Sequence, residues 1–125
     1  MATARATSPG TVVYDGDCGF CSVCADWLDR HGTAGVVSWQ RSDLAALGLT
    51  EDDVRARAYW LDADGRVAEQ GAGAVLASLA TCGAPWSWLA RIGSLRVLRP
   101  LADLVYALVA RNRHRLPGST AACRL

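Results

Sequence analysis

A short apolar strand, a three-residue turn and a helix opening on two cysteines narrow the folds available to this chain more than any other feature. Thr11-Val12-Val13-Tyr14 is a β-branched and aromatic run, the composition of a strand. Asp15-Gly16-Asp17 follows as a turn, with Asp17 placed to act as an N-cap. From Cys18 the period becomes helical. Cys21, Cys24, Leu28 and His31 recur at three- and four-residue spacing with Phe20 and Trp27 beside them, and Gly32 supplies a helix stop.

The segments downstream extend this unit. Val36 to Trp39 reads as a second strand, and Ser42-Asp43 opens a short helix ended by Gly48. Thr50 followed by Glu51, Asp52 and Asp53 looks like a further turn or helical cap. Ala56 to Leu61 and Arg66 to Gln70 flank Asp62-Ala63-Asp64-Gly65, whose Asp-Gly pair suits the positive backbone angles of a hairpin. Gly71 to Cys82 is rich in Ala and Leu and helical in pattern. The expected class is α/β, a thioredoxin-like β-α-β-α-β-β-α sandwich, because right-handed crossovers leave few other ways to close such a sheet.

Past Gly83 the pattern becomes purely helical. Pro85 suits a helix start, with Trp86, Trp88, Leu89 and Ile92 on one stripe. Pro100 divides the rest, and Leu101, Leu104, Val105, Leu108 and Val109 are the expected packing face of the last helix. Pro117-Gly118 ends it before a polar tail. The expected organisation is a flexible segment at 1–10, a core at 11–83 and a helical C-terminal extension at 84–125 packed on the same domain.

At 125 residues, with 51% hydrophobic and 20% charged, the chain can bury a core unaided; disulfides or metals are usually required only below about 40 residues. Met1 to Gly10 contain no apolar run of the secretory kind. No uncharged stretch approaches the ~18 apolar residues of a spanning helix, so a cytoplasmic protein with no membrane span is expected. Charge is uneven. Residues 1–82 hold six Arg against eleven acids, a net of −5, and residues 83–125 hold seven Arg against Asp103, a net of +6. Such a basic third can meet nucleic acid or an anionic membrane. The reading adopted is a solvated face with arginines complementing helix dipoles, and no nucleic-acid partner.

Five cysteines in such a chain point to chemistry more than to a disulfide framework. Cys18 and Cys21 form a CxxC at the strand-to-helix turn. Free N–H groups and the positive helix end favour a thiolate there. Cys18 is the expected attacking thiolate and Cys21 the resolving thiol, acting on a protein or small-molecule disulfide with no cofactor. Asp15 is a candidate proton acceptor for Cys21, or else a turn aspartate bonding its own backbone. Its charge would also oppose a nearby thiolate. Cys24 extends the motif to CxxCxxC, which admits a zinc or iron–sulfur alternative with His31, Cys82 or Cys123 as a further ligand. Its alignment with Leu28 favours a packed core thiol. A non-catalytic interaction domain using the Arg-rich C-terminal helix is a third reading. His31 and His114 are poor catalytic candidates, while Trp27, Trp60 and Trp86 are candidates to shield the dithiol.

Tyr14-Asp15-Gly16-Asp17-Cys18-Gly19-Phe20-Cys21 resembles the opening of the DCC family of thiol-disulfide oxidoreductases, whose Asp and CxxC fall on Asp15, Cys18 and Cys21. The likeness continues in Gly71 to Ala74, in Tyr106 to Arg113, and in Pro117-Gly118 with Cys123. The resemblance implies redox activity and a role for Cys123 in docking the tail or meeting a redox partner. Two positions depart from pattern. Gly73 stands where the family usually carries Asp, and Arg57 stands where thioredoxins carry the cis-proline that shapes substrate binding and keeps metals off the dithiol.

Overall fold

A computed structural model describes residues 9–115; residues 1–8 of the expected flexible segment, the helix end at Pro117-Gly118 and Cys123 lie outside them. Four strands, β1 (Gly10–Tyr14), β2 (Gly35–Ser38), β3 (Tyr59–Asp62) and β4 (Val67–Gln70), form one mixed sheet in the order β2-β1-β3-β4. β1 runs parallel to β2, in register from Thr11 opposite Gly35 to Tyr14 opposite Ser38. It is antiparallel to β3, and β3 is antiparallel to β4 with a register shift at Trp60/Leu61. The helices are α1 (Gly19–His31), α2 (Leu44–Leu47), α3 (Glu51–Ala56), α4 (Ala72–Leu79), α5 (Trp86–Gly93) and α6 (Arg99–Asn112). The fold is α/β and thioredoxin-like, with α1 as the crossover between the parallel strands.

Alternation along β1 builds a core on each face of the sheet. Val12 packs with Ala34, Trp60 and Ala74, against which Leu28 of α1 and Ala77 of α4 close. Val13 packs with Trp39, Val54 and Tyr59, joined by Leu44 and Leu49 from the segment holding α2 and α3. Local signals set the intervening ends. Asp43 accepts from the Ala46 N–H to cap α2, and Gly48 leaves it with φ +76°. Thr50 and Asp53 form a reciprocal capping box on α3, so the expected cap opens a helix of its own.

Several expectations need correction. The N-cap of α1 is Cys18, with Asp17 still in the turn, where the Asp15 carboxylate holds the Asp17 N–H and the Asp15 carbonyl holds that of Cys18. In the hairpin only Gly65 takes positive φ, and Asp62 accepts from the N–H groups of Asp64 and Arg66. Most importantly, α5 and α6 pack with the opposite face from the one expected. Ala90 is the buried residue of α5 and Gly93 lies against Leu76 of α4. α6 turns Ala102, Tyr106 and Ala110 inward, leaving Leu101, Leu104, Val105, Leu108 and Val109 exposed. Small side chains let the helix backbones approach α4 closely, and bulky ones at the same positions would hold them apart.

Candidate active site

The ends of β1 and β2 lie side by side, so the turn after Tyr14 meets the 3-10 turn at Trp39–Arg41. Gly16 is required at that meeting, since a Cβ there would lie 2.9 Å from Cβ of Ser38. Asp15 is buried (4% exposed). Its Oδ1 accepts from the Asp17 N–H at 3.0 Å, Trp39 Nε1 at 3.1 Å and Gln40 Nε2 at 3.0 Å. Gln40 Oε1 in turn accepts from the Gly16 N–H at 3.0 Å. Asp15 is thus both the turn aspartate of the simpler reading and the centre of a buried hydrogen-bond network.

That network delivers Cys18 to the N-cap of α1. The Cys18 N–H donates to the Asp15 carbonyl at 3.2 Å, and its carbonyl accepts from the Ser22 N–H. Cys18 is fully buried (0% exposed) and disulfide-bonded. Cys21, one turn on, is a half-buried free thiol, as are exposed Cys24 and buried Cys82. Arg113 reaches Cys21 from beyond the end of α6: Nη1 lies 3.7 Å from Sγ, and Nη2 donates to the Arg55 carbonyl at 2.6 Å. Burial pushes the Cys21 thiol above its ordinary pKa, the Arg113 guanidinium opposes this, and the charge of Asp15 adds to the rise. Tyr106 lines the same side, its hydroxyl accepting from the Ala58 N–H at 3.0 Å. Burial also raises the Tyr106 pKa.

A model of the DCC1-like thiol-disulfide oxidoreductase family matches residues 12–119. The chain belongs to this family. No curated protein and no solved structure matches it significantly. In this DCC1-like chain the segment Arg55–Ala58, which contains Arg57 in extended backbone, is tied to Arg113 and Tyr106, and through Arg113 to Cys21. At Gly73 an added Cβ would run into Glu69 and Arg99, which pair at 3.5 Å. A carboxylate therefore stands beside this glycine, supplied from β4.

Other candidates fall elsewhere. Cys24 is exposed and not a core thiol; the inward position belongs to its neighbour Ala25, one helical step round. Among the described residues no group of three or more His, Cys, Asp or Glu side chains is placed to hold a metal ion. Trp60 is in the core, and Trp27 stacks on His31 and meets Trp86 edge-on; Trp39 is the indole bonded to Asp15 beside the cysteine turn. Trp39, Gln40, Tyr106 and Arg113 are the site residues that sequence reasoning missed. The parallel register of β1 and β2 places the first two. The other two lie within the Tyr106–Arg113 run that already carried the family resemblance.

Proposed function

We propose that the protein is a thiol-disulfide oxidoreductase in which Cys18 attacks and Cys21 resolves. The observation that carries this reading is the placement of the two cysteines: Cys18 caps α1, and Cys21, one turn on, is a thiol facing the Arg113 guanidinium. A resolving step requires a second thiol close behind the first. Once Cys18 is joined to one half of a substrate disulfide, the Cys21 thiolate attacks the Cys18 sulfur, the Cys18–Cys21 disulfide forms, and the substrate sulfur leaves as a thiolate. An external dithiol then reduces the Cys18–Cys21 bond, taking over the oxidised state. Reduced Cys18 attacks a substrate disulfide, releasing one half as thiolate, and Cys21 again displaces the other. Each turnover passes two electrons to the substrate.

Arg113 favours the Cys21 thiolate against burial. The Asp15 network fixes the turn from which Cys18 enters the helix. The reading is tested by turnover of a chromogenic aryl disulfide in the presence of a dithiol. Cys18→Ser is expected to fall to the uncatalysed rate. Cys21→Ser is expected to accumulate a covalent adduct whose mass shows half the substrate on Cys18. Wild-type turnover by Cys18→Ser would overturn the assignment. The reduction potential then sets direction, with about −270 mV marking a reductant and about −120 mV an oxidant.

A further inference from the structure

The C-terminal helices present an apolar surface that no described residue covers. On α5 and the connection after it, Trp88 (62% exposed), Leu89, Ile92, Leu95 and Val97 (82% exposed) face outward. Leu101, Leu104, Val105 and Leu108 continue the surface along α6. Soluble monomers rarely leave so many large apolar side chains together unless something binds there.

Charge selects the occupant. Arg91 lies three residues after Trp88 and Arg111 three after Leu108, so each shares a helix face with exposed apolar residues. Arg96 is exposed between the helices. The one acid of this region, Asp103, is already paired with Arg99 at 3.3 Å. A second copy of the chain would bring arginines against arginines across a self-complementary contact. An anionic bilayer instead accepts the apolar side chains below its headgroups and the arginines among its phosphates, with tryptophan at the boundary. We infer that α5 and α6 form a peripheral docking face for membranes rich in anionic phospholipid. No described helix is long and apolar enough to cross a membrane, so the contact is interfacial.

The test is sedimentation of the intact chain with phosphatidylcholine vesicles prepared with and without phosphatidylglycerol. Binding is expected only with the anionic lipid, with a blue shift of tryptophan emission and weakening as salt is raised. Arg91→Gln and Arg96→Gln are each expected to lower partitioning about fivefold. Trp88→Ser with Leu101→Ser is expected to abolish it while circular dichroism stays unchanged. Failure to bind either vesicle, or equal binding to both, would overturn the inference. So would a dimer in light scattering that the double variant dissociates, since the face would then be an interface between copies. None of these readouts depends on the redox chemistry.

Discussion

The cysteine turn and the C-terminal helices solve opposite problems with the same kinds of residue. The buried Asp15 carboxylate finds its partners in the cysteine turn and in the 3-10 turn. Along α5 and α6 apolar groups are exposed, and alanine and glycine do the packing. α6 belongs to both regions. Its inward stripe sends Tyr106 toward the segment before β3, with Arg113 following just beyond its end, while its outward stripe carries leucine and valine. A helix can therefore spend its polar residues on a buried site and its apolar ones on a surface.

The largest effect separates core from surface. Trp60→Ala is expected to cost about 3–5 kcal/mol in urea unfolding, whereas Ile92→Ala or Leu101→Ala should change stability by less than about 0.5 kcal/mol. Equal losses would mean that the outward stripe is packed after all. Next, Trp39→Phe removes one donor from the buried Asp15 carboxylate and should cost about 1.5–3 kcal/mol.

The site then responds in opposite directions to its two charges. Arg113→Gln should shift alkylation of Cys21 to higher pH, and Asp15→Asn should shift it lower, because the first group lowers the thiol pKa and the second raises it. PH titration of the iodoacetamide rate, resolved by peptide mass, measures both. The smallest effect is on the whole fold. Burial holds Cys21, Cys82 and Tyr106 above their ordinary values, so the folded chain keeps these protons longer than the unfolded one. Stability should fall as pH rises above about 8.5, read as a falling urea midpoint.

Legibility in the sequence divides along the same line. β1, the turn and α1 could be read because strand period, turn residues and helix stop all agreed locally. α2 could be read through its cap, and Thr50 with Asp53 marked the cap of α3 but not the helix that follows it. The facing of α5 and α6 could not, because an apolar stripe normally marks the packed side and here close approach to α4 demanded Ala90 and Gly93 instead. Cys24 was misplaced because the buried position of α1 falls on Ala25, one residue on, which turns Cys24 outward. Within the site, Asp15, Cys18 and Cys21 are adjacent in the chain and visible as a motif. Trp39, Gln40, Tyr106 and Arg113 arrive by strand register and by the fold of the last helix, which no local window contains.

Trp27 and Trp86 lie 5.1 Å apart at right angles, with His31 stacked on the first at 4.3 Å. One ring belongs to the helix that carries the thiols and the other to the helix beneath the outward face. Two indoles this close couple their electronic transitions, so the pair contributes a circular dichroism couplet of its own. Any displacement of α5 against α1 changes that couplet. The protein therefore carries a built-in optical reporter, through which an event at the surface helices can be followed from the cysteine-bearing helix without a label.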